Sequence, residues 1–265
     1  MSSTPLVTGN QPEEGRIPRI LHRIWLGPKP FSLEFAEYGR RWQSLHPTWE
    51  VRLWRDDDLP VLQNAELYDR VKAWSSRADI ARLEILLQFG GVYADCDVQP
   101  LRPLDDLLAG AGFVAGWEDE DRVNNAVMAS VPNHPLVRAM VDGIPGRADE
   151  VGVSDPDIFA GPGYLTDQLR AYSEQPSVRL YPPEFFYPYH YHQKWRRHER
   201  FPDAYTVHHW AHTWSTTPPT LVQSMRRRSV DLAARSALVR RGLMKRSERL
   251  QQGSAGARSV QGDGS

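Results

Sequence analysis

Two aspartates one residue apart, Asp95 and Asp97, have the spacing that most directly suggests chemistry in this sequence. They follow the apolar run Gly-Val-Tyr-Ala, residues 91–94, which predicts a buried strand. If the strand continues through them, both carboxylates point to the same side, because side chains two residues apart share a face. Two like charges repel each other, so a cation is the simplest group to offset them. Oxygen ligands favour a hard ion such as Mg²⁺ or Mn²⁺, which also binds phosphate oxygens.

A second polar pair precedes the aspartates on the predicted helix of residues 75–89. Asp79 and Arg82 are three residues apart, so they share one face of that helix. They form either an ordinary ion pair within the helix or a polar surface for a hydroxylated ligand. Asn124 and Asn125 stand in a predicted strand that is otherwise apolar, where asparagine is unusual, so an inward-facing one needs a polar partner.

Three histidines, His208, His209 and His212, lie close together near the end of the part of the sequence that has the composition of a folded domain. One of them can reach the same metal if their strand ends near the aspartates. A Zn²⁺ site built on the histidines is disfavoured by the paired aspartates and by the lack of a usable cysteine. Trp25, which ends the first predicted strand, is either a core residue or a stacking surface for a nucleobase. Cys96 is predicted to face inward as a small buried hydrophobe.

The elements that position these residues alternate between strand and helix through the first hundred residues. This pattern predicts an α/β fold with a mostly parallel central sheet flanked by helices. Ligands in such sheets bind beyond the carboxyl ends of the strands, where the paired aspartates stand. The predicted strands cover residues 19–27, 49–54, 91–97, 112–117 and 124–130, and predicted helices begin at Ser32, near residue 59 and at Ser75 or Ser76.

The bulk composition is that of a soluble globular protein. Of the 265 residues, 40% are hydrophobic and 25% are charged. The net charge of -1 argues against a general nucleic-acid binder. The one cysteine excludes an internal disulfide framework and fits a reducing compartment. Because we find neither a signal peptide nor an apolar stretch of membrane-spanning length, we expect a cytoplasmic protein.

Four parts are predicted along the chain: a loose tail over residues 1–16, a main domain over 17–220, a basic extension over 221–250 and a disordered tail over 251–265. Residues 225–250 carry apolar groups at helical spacing among many arginines. They form either a solvated helix that lies on the main domain or a helix attracted to anionic lipid or to a partner. The second alternative would give the protein a peripheral membrane contact.

Four segments in chain order, IPRILHRIWLG, SRADIARLEILLQFGGVYADCDVQPLRPL, NNAVMASVPNHP and HHWAHTW, resemble the family 32 glycosyltransferases. These enzymes carry a DXD sugar-nucleotide motif and are related to clostridial toxin glucosyltransferase domains and yeast Golgi initiating mannosyltransferases. The resemblance implies a GT-A fold with a Rossmann-like nucleotide-binding half. It also implies a UDP- or GDP-linked sugar donor, Mn²⁺ or Mg²⁺, and transfer of a hexose to a hydroxyl acceptor with retention, as in polysaccharide or glycoconjugate synthesis.

The resemblance assigns the metal and catalytic residues. Asp95 contacts ribose and, through water, the metal, whereas Asp97 binds the metal directly. Asp79 and Arg82 hold the ribose or sugar hydroxyls. The further metal ligand is assigned to His209, with the two neighbouring histidines as competitors.

The resemblance also assigns donor-binding residues. Trp25 stacks on the base, Tyr93 lines the donor site, Asn125 lies near the sugar and diphosphate, and Trp214 contacts the leaving phosphate.

Two alternative functions stay open at this point. One is a non-catalytic sugar- or metal-binding relative, and the other is a haloacid-dehalogenase-like phosphohydrolase in which Asp95 attacks phosphorus.

Overall fold

The computed structural model describes residues 15–172 and 176–211. Residues 15–172, 176–190 and 197–211 belong to one compact unit, and the segment Tyr191–Arg196 belongs to a second unit. The predicted basic extension and most of both predicted tails lie outside the described residues, so the predicted domain boundaries stay predictions. No helix in the described part of the chain has the length and apolar character needed to cross a bilayer.

The centre of the main unit is a mixed six-stranded sheet with the order β2-β1-β3-β6-β5-β7. Five of these strands run in one direction, and β6 alone is antiparallel to its neighbours, which confirms the predicted mostly parallel sheet. Because β6 is reversed, its first residues lie at the edge where the other strands end. The strands are β1 Ile20–Ile24, β2 Glu50–Trp54, β3 Gly91–Ala94, β5 Phe113–Trp117, β6 Val123–Ser130 and β7 Val178–Tyr181.

Helices cover both faces of the sheet. Residues that alternate along the strands divide between two core clusters: Tyr93 packs with the α3 and α5 side, whereas Val92 and Ala94 pack with the α1 side. The helices are α1 Leu33–Leu45, α2 Ala65–Arg70, α3 Trp74–Phe89, α4 Asp105–Leu108, α5 Pro135–Val151, α6 Pro156–Phe159, α7 Pro162–Ala171 and α8 Pro183–Phe186, with 3-10 segments at Asp56–Asp58 and Tyr191–His198.

The predicted helix starts have mixed outcomes. Ser32 caps α1 as predicted, because its hydroxyl accepts a hydrogen bond from the Glu34 amide at 3.1 Å. The helix predicted from about residue 59 is wrong over its first half: Leu59 precedes a proline and is extended, so α2 begins later. Neither Ser75 nor Ser76 caps α3, which begins one residue earlier without a side-chain cap.

Two glycines turn the chain from α3 into β3. Gly90 ends the helix with φ +61°, and Gly91 begins the strand with φ +89°. A Cβ on Gly91 would lie 2.6 Å from the carbonyl oxygen of Ile20 on β1. Glycine therefore allows β3 to pair closely with β1, which places the following aspartates at the end of the central strands.

A separate antiparallel pair of short strands, β4 Val98–Pro100 and β8 Thr206–His208, lies directly after the aspartates. Val98 is opposite His208 in this pair. The pairing brings the histidine-rich segment to the paired aspartates, although more than a hundred residues separate them in sequence.

Candidate active site

The aspartates lie in a turn. The prediction that the strand continues through both of them is wrong, because β3 ends at Ala94 and the Val98 amide donates to the Asp95 carbonyl at 3.0 Å. The Asp95 amide donates to the Ala126 carbonyl of β6 at 2.9 Å, which holds the start of the turn on the sheet. Cys96, in the middle of the turn, is buried as predicted.

Arg82 of α3 lies between two carboxylates. Its Nη2 is 3.1 Å from Oδ1 of Asp79 and 3.3 Å from Oδ1 of Asp95. The guanidinium stacks over the ring of Tyr93 at 4.5 Å, and the Tyr93 hydroxyl donates to Oδ1 of Asp95 at 2.6 Å. The predicted pair of α3 and the first aspartate of the motif are therefore one buried, hydrogen-bonded group.

Burial and charge act in opposite directions on this group. Burial raises the pKa of Asp79 to about 6, even though Arg82 beside it favours the ionised form. Burial alone would lower the pKa of Arg82, but the nearby carboxylate of Asp95 outweighs it and the pKa is raised. Arg82 therefore keeps its positive charge and offsets part of the repulsion between the carboxylates.

His208 faces the paired aspartates. Its Nε2 is 3.3 Å from Oδ1 of Asp97 and 3.9 Å from Oδ2 of Asp95. Burial alone would lower the pKa of His208, but Asp97 outweighs it and the pKa is raised. Burial alone would raise the pKa of Asp97, but His208 and the Ala211 amide, which donates to Oδ2 at 2.7 Å, hold it below its ordinary value.

The assignment of the histidine ligand to His209 needs a correction. Its Nδ1 lies 2.9 Å from the Tyr189 hydroxyl and its Nε2 lies 2.9 Å from Oε1 of Gln99, so both ring nitrogens are engaged by protein groups. Burial lowers the pKa of this ring to about 4. His209 follows the last residue of β8 and its ring stacks against Tyr38 at 5.4 Å, whereas His208 is the histidine grouped with the aspartates.

The three groups fit a divalent cation. One ligand atom each from Asp95, Asp97 and His208 lie within 4.8 Å of one another. Nδ1 of His208 is buried and has no hydrogen-bond partner among the described residues, so only Nε2 faces polar groups. Two carboxylates and one imidazole suit an ion that accepts both oxygen and nitrogen ligands, such as Mn²⁺.

Both asparagines of β6 have protein partners. Nδ2 of Asn125 donates to Oδ1 of Asp79 at 2.9 Å, and the Asn125 carbonyl accepts from Nη1 of Arg82 at 2.8 Å. Nδ2 of Asn124 donates to Oε2 of Glu118 at 2.7 Å. The structure therefore brings Asn125 into the predicted site. It also places Asn124 beside Glu118, a residue that was not predicted to belong to the site.

Trp25 packs in a buried cluster with Cys96, the residue between the paired aspartates. Trp25 is 3% exposed, donates from Nε1 to the Lys29 carbonyl at 2.8 Å and packs edge-on against Phe31 and Phe35. Its role as a base-stacking residue stays a prediction. Trp214 lies outside the described residues, so its predicted contact with the leaving phosphate also stays a prediction.

Sequence reasoning missed Glu118 and His190. Glu118 begins an acidic run at residues 118–121, a pattern typical of a solvated loop, yet its side chain is only 6% exposed. His190 Nε2 lies 2.9 Å from Oε1 of Glu118. The available signal was a glutamate directly after an apolar strand, at the sheet edge where ligands bind.

This arrangement of carboxylates at the strand ends can be compared with known proteins. Residues 32–114 match the family model described as "glycosyltransferase sugar-binding region containing DXD motif". Residues 32–114 are the DXD-containing region of a glycosyltransferase. The resemblance to family 32 inferred from the sequence is thereby confirmed.

Several yeast proteins resemble this glycosyltransferase domain. Inositol phosphoceramide mannosyltransferase 1 of Schizosaccharomyces pombe is 27% identical over 186 residues, which cover 64% of this chain and 57% of the relative. Mannosyl phosphorylinositol ceramide synthase SUR1 of Saccharomyces cerevisiae is 32% identical over 131 residues, covering 47% and 34%. The chain thus spans about half the length, or less, of the curated relatives it matches.

A solved structure supports the fold. PaToxG glycosyltransferase superposes with a TM-score of 0.53 at 18% identity, covering 58% of this chain and 68% of that one. At this identity the likeness shows the fold alone. The central sheet and its helices are those of a GT-A glycosyltransferase, as expected from the sequence.

Proposed function

We propose that this domain transfers a hexose from a nucleotide-diphosphate sugar to a hydroxyl of a saccharide or other acceptor, in the presence of Mn²⁺ or Mg²⁺. The observation that carries the proposal is the convergence of Asp95, Asp97 and His208 at the ligand edge of a DXD glycosyltransferase sheet. The match to that family over residues 32–114 disfavours the phosphohydrolase alternative.

Each residue has a proposed role in this reaction. Asp97 and His208 bind the metal, and Asp95 binds it while Arg82 and Tyr93 orient its carboxylate. When bound, a divalent ion neutralises charge that develops on the diphosphate leaving group. The buried carboxylate of Asp79, held by Arg82, accepts hydrogen bonds from hydroxyls of the donor.

The proposed stereochemical course is retention by displacement on one face of the sugar. The bond from the anomeric carbon to the diphosphate breaks, the acceptor oxygen bonds to the same face, and the departing diphosphate takes the acceptor's proton. This course needs no protein nucleophile. Mass-spectrometric detection of a glycosylated aspartate or glutamate would contradict it.

Mannose is the first sugar to test. Two relatives are mannosyltransferases by name, one of them the initiation-specific alpha-1,6-mannosyltransferase of Schizosaccharomyces pombe, 26% identical over 200 residues. We propose that the protein acts in the cytoplasm on a polysaccharide or glycoconjugate acceptor. Residues 225–250, outside the described part of the chain, are the proposed contact with an anionic membrane.

A thermal-shift panel tests the function. UDP- and GDP-linked glucose and mannose are each combined with Mn²⁺, Mg²⁺ or EDTA. A donor at one hundred times its Kd stabilises the protein by about 2.7 kcal/mol, and we expect this shift for one donor and its loss in EDTA. The exposed-site control Asp57→Asn should behave as wild type, whereas Asp97→Ala should fold but show neither shift nor turnover.

Turnover separates an enzyme from a non-catalytic relative. The donor that shifts the melting temperature is incubated with water or with methyl glycosides as acceptors, and release of nucleoside diphosphate is measured. We expect release that requires Asp97. Donor binding without any release would favour the non-catalytic sugar-binding alternative.

A further inference from the structure

We propose that Glu118 and His190 form a second polar wall of the proposed donor site and bind hydroxyl groups of the transferred sugar. The inference rests on the proposed function, because it concerns a donor whose diphosphate lies at Asp95 and Asp97. It assigns a role to a buried carboxylate outside the group of Arg82 and the paired aspartates.

The position of Glu118 follows from the order of the strands. Asp95 follows β3, Asn124 lies at the start of β6 and Glu118 follows β5, and these three strands are adjacent. Asn124 is opposite Gly116 in the β5–β6 ladder. Neighbouring strands are about 4.8 Å apart, so the backbones of Glu118 and Asp95 are separated by roughly 10 Å along the edge. A sugar attached to a diphosphate at Asp95 can therefore reach Glu118 across β6.

Glu118 is held in place with capacity for further hydrogen bonds. Asn124 donates to its Oε2 at 2.7 Å and His190 lies 2.9 Å from its Oε1, while Nε of Arg122 is 3.6 Å from Oε2. A carboxylate has about four lone-pair positions, so the hydrogen bonds from Asn124 and His190 leave room for hydroxyl donors. Hydrogen bonds to such a charged acceptor are stronger than neutral ones.

Glu118 lies on the side of the proposed donor site opposite Asp79. Trp117 packs with the α3 side of the sheet, so the next residue, Glu118, points to the other side. There the His190 ring packs against Trp210 at 5.8 Å, and Trp210 packs against His208 at 4.1 Å. A row of rings therefore connects Glu118 to the proposed metal site.

The same groups could instead hold a cation, since Glu118, Asp119 and His190 offer ligand atoms within 4.8 Å of one another. We favour the sugar because Asp119, which a cation would need as a second carboxylate, is exposed with its Oδ1 bonded to the Asp121 amide at 3.0 Å. A titration with Mn²⁺ alone distinguishes these two ligands.

The experiment compares a nucleoside diphosphate with its sugar conjugate. Calorimetry with Mn²⁺ measures the Kd of UDP, UDP-glucose, GDP and GDP-mannose for wild type, Glu118→Gln and His190→Gln. Glu120→Gln, an exposed change of the same chemistry in the same loop, is the control. For the base that wild type binds, we expect both variants to bind the diphosphate as wild type does and the sugar conjugate about tenfold more weakly.

The possible outcomes are distinct. Equal weakening of diphosphate and sugar conjugate would assign Glu118 a structural role, and no weakening of either would place the sugar elsewhere; each result overturns the inference. Loss of a second Mn²⁺ equivalent in Glu118→Gln would also overturn it, in favour of a metal site. If wild type itself binds no nucleotide or conjugate, the proposed function fails before any variant is compared. His190→Gln keeps the test open if Glu118→Gln does not fold.

Discussion

Arg82 is the residue on which the buried part of the site depends. Its guanidinium is 3.1 Å from Asp79 and 3.3 Å from Asp95, and all three groups are removed from most of the solvent. Removing one partner of a buried ion pair leaves an uncompensated charge, which costs far more than the pair contributes. The arginine therefore has a structural role in addition to the contact with donor hydroxyls that the family resemblance implies.

We expect Arg82→Met to lower the free energy of unfolding by about 3–5 kcal/mol, because two carboxylates lose their partner. The control is Arg40→Met, which breaks the exposed Arg40–Glu37 pair on α1 and should cost about 0–1 kcal/mol. Urea denaturation followed by circular dichroism measures both. Equal small losses would mean that solvent reaches the carboxylates of the site.

The choice between His208 and His209 is also decided by single residues. His208→Gln should weaken Mn²⁺ binding by about tenfold or more, because a direct ligand has at least the effect of an outer-shell partner. His209→Gln should leave Mn²⁺ affinity unchanged and lower stability, since it alters the hydrogen bonds to Tyr189 and Gln99. Calorimetric titration with Mn²⁺ alone gives the comparison, and the reverse order of effects would restore the assignment to His209.

At the scale of elements, the α3–β3 connection positions the aspartates. This connection could be predicted from the sequence because α3 has a long apolar pattern and the Gly-Gly pair marks the end of the helix. The turn at residues 95–97 could not be predicted from the sequence. It depends on the hydrogen bond from the Val98 amide to the Asp95 carbonyl, which replaces the pairing of a continued strand. The side on which each histidine lies was also hidden, because it is fixed by the pairing of β8 with β4.

The Gly91→Ala change tests this connection. The positive φ of Gly91 disfavours any other residue at this position, and the new Cβ would approach the Ile20 carbonyl oxygen. We expect a loss of about 2 kcal/mol or more in the free energy of unfolding, together with weaker Mn²⁺ binding as β3 moves. Gly146→Ala in the exposed part of α5, where the Cβ meets nothing within 4 Å, should instead stabilise by about 0.5–1 kcal/mol. Similar effects of the two changes would argue against a tight β1–β3 approach.

At the scale of the whole molecule, His22 makes stability depend on pH. Its Nε2 donates to the Gly90 carbonyl at 2.9 Å and its Nδ1 accepts from Trp54 at 3.1 Å, so the buried ring is neutral. Burial lowers its pKa from 6.5 to about 4. Between these two values the unfolded chain binds the proton and the folded protein does not, so stability falls as the pH falls from 6.5 toward 4.

His22→Gln keeps a donor and an acceptor but does not titrate. We expect the wild type to lose about 3 kcal/mol more than this variant between pH 7 and pH 4. Urea unfolding at a series of pH values measures the difference, and other buried histidines contribute equally to both proteins. Parallel pH profiles for the two proteins would show that His22 is protonated at little cost.

The sequence was sufficient for the sheet, its flanking helices and the group of Asp79, Arg82, Asp95 and Asp97, because these depend on local periodicity and short spacings. It was not sufficient for Glu118, whose burial depends on Asn124 and on His190, 72 positions further along the chain. It was also insufficient for the packing of Trp25, which makes edge-on contacts with two phenylalanines of the following segment.

The β4–β8 pair has a consequence for the order in which the molecule opens. A cation bound by both Asp97 and His208 would link the last described segment of the chain to the end of the central strand β3. Adding Mn²⁺ should then slow amide hydrogen exchange at His208–Ala211, whose local opening would release the ion, whereas amides that open locally without disturbing the site should exchange at an unchanged rate. Removing the ion would release this segment first and leave the remaining core folded.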